Sequence, residues 1–168
     1  EPAMQLKHGL LLGLLTILLA ATGCDSKFKD CQTVIDAINA SVERIKKAEV
    51  GGSEPEKMAK QFQDFAKIAE EEADKLAGIK VETKELKDMV DEYATMAKEV
   101  AGAAKELAGA MEELTKIAKD AETKPSPDLL DKMKEVEKKG DAAQKKLDAA
   151  TSKEDPLVDK INKFCGAG

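Results

Sequence analysis

Three cysteines and one histidine are the residues of this chain whose types and spacing point most directly to chemistry. No cysteine belongs to a Cys-x-x-Cys-His sequence, which excludes covalent haem attachment. His8 lies close to the N-terminus, and no histidine follows it. The rest of the chain therefore has no Ser-His-Asp or Cys-His nucleophile, no Glu-x-x-His metal motif and no histidine ligand for haem.

Acidic clusters and methionines are the remaining candidates for a chemical role. Glu70-Glu71-Glu72 and Glu112-Glu113 carry carboxylates of the kind that bind hard cations, but lysines lie nearby and no ligand loop surrounds them. We interpret Glu70-Glu71-Glu72 as a solvated helix face, and we predict no metal site, no cofactor and no enzymatic activity. Five of the six methionines fall on apolar helix faces and are predicted to fill the core: they are Met58, Met89, Met96, Met111 and Met133.

The composition bounds the fold and the partners. The 168 residues suit one domain with appendages, and an aromatic content of 3% is too low for an all-β core. The formal net charge is -6, and Arg44 is the only arginine. This balance argues against a nucleic-acid partner.

The first 23 residues are typical of a secretory signal peptide. Lys7 gives a positive start, and the segment Leu10–Ala21 contains a single polar side chain. This apolar run is shorter than the roughly 20 residues that a membrane-spanning helix needs. We therefore expect residues 1–23 to be a signal peptide, in which residues 1–3 precede the true start at Met4.

The segment Leu18-Leu19-Ala20-Ala21-Thr22-Gly23-Cys24 resembles the lipobox that ends the signal peptide of bacterial lipoproteins, although Ala21 stands where that family usually has leucine. The resemblance implies cleavage between Gly23 and Cys24 and a diacylglycerol group on the Cys24 sulfur. It also implies a lipid-anchored protein of the bacterial cell envelope, on the periplasmic side or at the cell surface. Asp25 resembles an inner-membrane retention signal, but that rule differs between bacterial groups, so both membranes stay open. Ordinary cleavage after Gly23 is the alternative, because Ala21 and Gly23 also satisfy the small-x-small rule.

With Cys24 assigned to the lipid, Cys31 and Cys165 remain as a pair. An odd thiol in an exported protein requires an explanation, and lipidation of Cys24 supplies one. We predict a disulfide between Cys31 and Cys165, with two separate buried thiols as the alternative.

Apolar residues spaced three and four apart predict four helices. The first runs from about Lys27 to Glu49, with Phe28 on its buried face, and Gly51-Gly52 ends it. The second is expected to open with a capping box and to end at Gly78. The box residues are Ser53 and Glu56, with Pro55 in the first turn.

The third helix carries the most regular pattern. After a cap at Thr83, its apolar residues alternate steps of four and three from Leu86 to Ala121, which is a heptad seam. A second apolar row, from Met89 to Ile117, widens this face and favours packing inside a bundle. Two glycines interrupt the helix and predict a bend or a very close helix contact: they are Gly102 and Gly109.

The fourth helix is predicted to start at Pro127, with Ser126 as its cap and Leu130 on its apolar stripe. Asp155-Pro156 predicts a kink or short break, after which the chain keeps its direction. An even number of antiparallel helices returns the C-terminus to the end where the bundle began, and Cys31 and Cys165 need that geometry. The greater length of the third helix predicts a hairpin that projects past the first two helices.

Together these patterns predict an all-α protein, an antiparallel, alanine-rich, coiled-coil-like four-helix bundle over residues 31–165. It follows the signal peptide, 1–23, and a short tether with the lipidated cysteine, 24–30. The expected function is that of a non-catalytic cell-envelope lipoprotein, tethered to the membrane through Cys24, which acts as an interaction or structural module for a protein or cell-wall partner. The alternatives are a carrier that holds a hydrophobic ligand between its helices and a self-assembling coiled coil; the sequence leaves the oligomeric state open.

Overall fold

The chain folds into an all-helical bundle, as seen in a computed structural model that describes residues 9–48, 54–124 and 126–166. The described ranges contain helices and no strand, which confirms the predicted all-α class. In chain order the helices are α1 (Gly9–Ala48), α2 (Pro55–Ala77), α3 (Lys84–Thr123), α4 (Pro127–Thr151) and α5 (Glu154–Cys165). The last two are the halves of the predicted fourth helix.

Helix α1 begins earlier than the sequence pattern predicted. It includes residues 24–30, which we expected to form a separate tether, and extends back to Gly9. No glycine or proline lies between Cys24 and Cys31, so nothing in this segment interrupts the helix. The predicted stop at Gly51-Gly52 lies outside the described residues.

The remaining helix ends follow the predicted punctuation with small differences. Helix α2 begins at Pro55 with Glu54 at its N-cap and ends at Ala77 with Gly78 as its C-cap, whereas Ser53 lies outside the described residues. Thr83 occupies the N-cap of α3 without a side-chain capping bond. At α4 the hydroxyl of Ser126 accepts a hydrogen bond from the Asp128 backbone N–H, as predicted for a cap.

The predicted break in the fourth helix lies at Ser152 and Lys153, just before Pro156. Proline lacks a backbone N–H, and its ring clashes with the carbonyl group four residues earlier, so the disruption falls on the preceding turn. The chain nevertheless keeps its direction, because α4 and α5 both pack along α3.

Helix α3 is the centre of the bundle. Along its apolar face, α2 packs on one flank and α4 and α5 on the other, while α1 packs against α2 and α5. Its seam residues from Leu86 to Leu107 are almost fully buried within the single chain, whereas those from Met111 to Ala121 are half-buried or exposed. The buried seam residues include Leu86, Val90, Tyr93, Val100 and Leu107.

Four lysines spaced seven residues apart along α4, the break and α5 face four equally spaced glutamates on α3. The pairs are Lys139–Glu113 at 3.5 Å, Lys146–Glu106 at 2.7 Å, Lys153–Glu99 at 2.5 Å and Lys160–Glu92 at 3.5 Å. The residue numbers of the lysines increase as those of their glutamate partners decrease, so α3 is antiparallel to α4 and α5. The seven-residue register continues across the break. Because each pair is about half exposed, it contributes at most about 1 kcal/mol, and the row acts mainly on register.

The opposite edge of α3 pairs with α2 in the same antiparallel sense. Lys105 contacts Glu70 at 2.7 Å, and Lys119 contacts Glu56 near the far end of α3. Helix α2 therefore accompanies α3 along most of its length. The predicted hairpin projects past α1 but not past α2, so this expectation was wrong for the second helix.

Two predicted core positions are on the surface. The side chain of Phe28 is 68% exposed, and that of Leu130 is 62% exposed. On α4 the neighbouring Leu129 packs with Met133 and Val136 instead. The stripe is thus shifted by one residue at the start of α4, because a step of four back from Met133 leads to Leu129.

The glycines of α3 do not mark a bend or a close contact. The helix is continuous through Gly102 and Gly109. A Cβ atom placed at either position would meet no heavy atom within 4 Å. Both glycines lie on the exposed outer side of the helix, so the predicted close approach was wrong.

Candidate functional site

Cys31 and Cys165 lie together at the end of the bundle where α1 enters it and α5 leaves it. Their sulfur atoms are 2.09 Å apart and their Cα atoms 5.6 Å apart, although 134 residues separate them in sequence. This Cα separation suits a disulfide. Beside it, the Lys27 ammonium group lies 4.1 Å from the centre of the Phe164 ring, within the range of a cation–π contact.

The residues predicted for signal cleavage and lipid attachment, Gly23 and Cys24, lie on the backbone of α1. They are seven and eight residues from Cys31, about 10 to 12 Å along the helix axis. No helix in the described part of the chain is long and apolar enough to cross a bilayer.

A cleft opens deeper in the bundle, where α1, α2 and α3 meet the junction of α4 and α5. Its volume is about 190 Å³. The walls are mainly apolar, and they are formed by Val42, Ile45, Phe65, Ala69, Met96 and Val100. Five polar side chains also line it: Lys46, Glu72, Tyr93, Thr151 and Glu154.

Glu72 is the unusual residue of this cleft. Its side chain is only 5% exposed, and its Oε1 atom has no hydrogen-bond partner among the described residues. The earlier interpretation of Glu70-Glu71-Glu72 as a solvated face was therefore wrong for Glu72, while Glu70 and Glu71 are exposed. Glu72 follows Ala69 by three residues and precedes Leu76 by four, so it lies on the buried face of α2.

The surroundings of Glu72 favour the neutral carboxyl group. Burial is the main cause, with the Glu154 carboxylate second, and together they raise the pKa of Glu72 from its ordinary 4.5 to about 7. The Ser41 hydroxyl and the charges of Lys75 and Arg44 act in the opposite direction. Of these three, the Ser41 hydroxyl lowers the pKa most, and it also donates a hydrogen bond to the Ala37 carbonyl oxygen over 3.4 Å.

Tyr93 lies near both carboxyl groups but is hydrogen-bonded to Glu154 alone. Its hydroxyl donates a hydrogen bond to Glu154 Oε1 over 3.1 Å. Burial, followed by the nearby charges of Glu72 and Glu154, raises the pKa of the Tyr93 hydroxyl well above its ordinary value. The phenol therefore stays neutral, and its only hydrogen is already used by Glu154.

The cations around the cleft are directed to other carboxylates. Lys46, which lines the cleft, pairs with Glu43 at 3.2 Å, and Arg44 pairs with Glu71 at 2.5 Å. The cleft thus combines apolar walls with an acidic floor, formed by Glu72 and Glu154, and a carboxyl oxygen that lacks a donor. Sites that bind small molecules have this combination of an apolar concave surface and a few convergent polar groups.

Other parts of the described surface offer less. Three grooves have larger volumes, of about 420, 470 and 500 Å³, but the first lies along the charged edges of α2 and α3 and the other two along those of α3 and α5. No cluster of three or more histidine, cysteine, aspartate or glutamate side chains in the described ranges has a metal-binding arrangement. The Glu72 cleft is therefore our candidate functional site.

Comparisons with family models, with curated proteins and with solved structures find no match to this chain.

Proposed function

We propose that this chain is a non-catalytic lipoprotein of the bacterial cell envelope, anchored through Cys24, in which the helical bundle acts as a structural or interaction module. The lipobox-like sequence before Cys24 supports the anchor. The contact between Cys31 and Cys165 supports a bundle closed by a disulfide at the end near that anchor.

The observation that carries the interaction role is the length of α3. At 40 residues it spans about 60 Å, with the Cys31–Cys165 contact at one end and the start of α4 at the other. The far tip presents the exposed Leu130. The bundle would hold this tip at a distance from the membrane, where a protein or cell-wall partner could meet it.

Labelling with radioactive palmitate tests the anchor. We expect the native chain to incorporate the label and Cys24→Ala to lose it, while Cys165→Ser keeps it because the lipid is on another residue. Absence of label from the native chain, or label that persists in Cys24→Ala, would refute lipidation at this site.

Site-specific photocrosslinking in intact envelopes tests the tip. A photoreactive residue at Leu130 should give a discrete crosslinked product, whereas the same residue at the exposed Lys145, in the middle region of α4, should not. Equal products at both positions would contradict a partner at the tip. Loss of the Leu130 product in the Cys24→Ala background would link the contact to anchoring.

The Glu72 cleft favours a second candidate function, that of a carrier for a small ligand between the helices. A self-assembling coiled coil gains no comparable support, because most of the seam of α3, from Leu86 to Leu107, is already buried within one chain. Native mass spectrometry of the protein purified from its own membrane separates the first two functions. A stoichiometric extra mass is expected for a carrier, and its absence would favour the interaction role alone.

A further inference from the structure

The polar end of the cleft shows which kind of ligand would suit it. Glu72 Oε1 is an acceptor without a donor, and Tyr93 cannot supply one because its hydrogen goes to Glu154. A ligand that enters this space can therefore satisfy Glu72 by bringing an N–H or O–H group. A buried acceptor without a donor is unfavourable, so a ligand that brings a donor binds more tightly than one that does not.

The charges around the cleft favour a cationic donor over a neutral one. Glu72 from α2 and Glu154 from α5 face the cleft as carboxyl groups, and neutral Tyr93 from α3 lies between them. Lys46 and Arg44 on α1 are paired with Glu43 and Glu71. Lys75 lies on α2 and is exposed to solvent.

The walls set the size and polarity of the rest of the ligand. Val42, Ile45, Phe65 and Met96 offer aliphatic, aromatic and thioether surface. A cavity of about 150 Å³ holds a benzene molecule, so the cleft, at about 190 Å³, has room for a single ring with a short substituent.

We propose that the cleft binds a small primary amine with an apolar body, whose ammonium group donates a hydrogen bond to Glu72. The grounds are the unmatched oxygen of Glu72, the acidic floor of the cleft and its apolar walls. This inference rests on the carrier proposal and specifies its ligand class. The ammonium group would bind the ionised carboxylate, so binding would displace a proton from Glu72 whenever that group is protonated.

The direct experiment measures binding of three probes that share one ring: benzylamine, benzyl alcohol and benzoate. Isothermal titration at pH 8 with the full chain should show the tightest binding for benzylamine and none for benzoate. Glu72→Gln should weaken benzylamine binding about tenfold, the equivalent of losing one charge-assisted hydrogen bond. The matched control is Glu70→Gln, because Glu70 is an exposed glutamate of the same helix, and it should leave the affinity unchanged.

A filling variant tests the location independently of charge. Val42→Phe places a ring in the cleft from the partly exposed face of α1 and should abolish binding of benzylamine and benzyl alcohol alike. Because the pKa of Glu72 is about 7, lowering the pH from 8 to 5.5 should weaken benzylamine binding by more than about tenfold.

The outcomes separate the two proposals. Binding of benzyl alcohol equal to that of benzylamine, with both lost in Val42→Phe, would overturn the amine assignment and support a carrier for neutral ligands. Benzylamine binding that survives Glu72→Gln and Val42→Phe unchanged would place it elsewhere and overturn the inference. No binding of any probe to the folded native chain would contradict a carrier of small ligands at this cleft as well.

Discussion

Replacing the buried Glu72 with glutamine should change how the stability of the bundle depends on pH. In the folded chain the pKa of Glu72 is about 7, against an ordinary value of 4.5. The folded state therefore holds this proton more tightly than the unfolded state does. As the pH rises from 4.5 to 7, unfolding releases the proton, and the native bundle loses stability.

The magnitude follows from the difference between these two pKa values. Each pKa unit corresponds to about 1.4 kcal/mol, so the ionised side chain should lower the free energy of unfolding by about 3 kcal/mol above pH 7. Solvent screening is small, since the side chain is only 5% exposed. Tyr93 does not titrate in this range, because its pKa is raised.

Urea unfolding followed by circular dichroism at pH 4.5 and 8.5 measures the effect. Relative to the native chain, Glu72→Gln should gain about 3 kcal/mol in the free energy of unfolding between the two pH values. Contributions from the other carboxylates are common to both proteins and cancel in the difference. Glu70→Gln is the matched control, and it should change by less than about 1 kcal/mol because Glu70 is exposed.

The refuting result is a difference between native and Glu72→Gln that stays constant, within about 0.5 kcal/mol, from pH 4.5 to 8.5. Glu72 would then titrate at its ordinary pKa in the folded chain, and the argument from burial would be wrong. Such a result would also remove the predicted pH dependence of amine binding, although the shape of the cleft would be unaffected.

Three further predictions concern the bundle itself. Gly102→Ala should raise the free energy of unfolding by up to about 1 kcal/mol, since the position is helical and open, whereas Gly166→Ala should lower it because Gly166 has φ of 70°. Urea unfolding measures both variants, and a lower free energy of unfolding for Gly102→Ala would contradict the open space around Gly102. Cys165→Ser should lower the free energy of unfolding by about 4 to 5 kcal/mol under oxidising conditions, because the disulfide closes a long loop. A reductant should lower the stability of the native chain to that of the variant, and equal stability of the two without reductant would mean that the bond is absent. Leu129→Ala should lower the free energy of unfolding by about 2 kcal/mol and Leu130→Ala by under about 0.5 kcal/mol. The reverse order in thermal unfolding would mean that Leu130 is the buried leucine, as first expected from the sequence.

Much of the architecture could be predicted because it depends on local spacing. The uninterrupted seam of α3 indicated a long helix at the centre of a bundle, and helix parity together with the cysteine count predicted that Cys31 lies next to Cys165. Leu129 was missed because two adjacent leucines both fit one turn before Met133. The alternation of four and three along the whole stripe, followed backwards from Ala150, selects Leu129.

Glu72 was missed for a different reason. It belongs to a run of three glutamates, and such a run usually faces solvent. The spacing from Ala69 and Leu76 was the available signal, but it conflicts with the high cost of burying a carboxyl group. Neither the partner of Tyr93 nor the contribution of Glu154 could be found from sequence, because they depend on how α5 packs against α3.

The burial of Glu72 has a consequence that joins stability to function. Ala69 and Ala73 occupy the same face of α2, so the face accepts small apolar side chains, and packing alone does not require an acid there. An acid that opposes folding above pH 7 is the kind of strain that proteins keep at binding sites. Without ligand, Glu72→Gln should be the more stable protein at pH 8. If an ammonium ligand supplies the missing donor, adding it should raise the free energy of unfolding of the native chain more than that of Glu72→Gln. Ligand binding would then favour glutamate at position 72, whereas stability without ligand would favour glutamine. If benzylamine stabilises the native chain more than Glu72→Gln, position 72 belongs to a ligand site; if it does not, the buried acid is a packing defect.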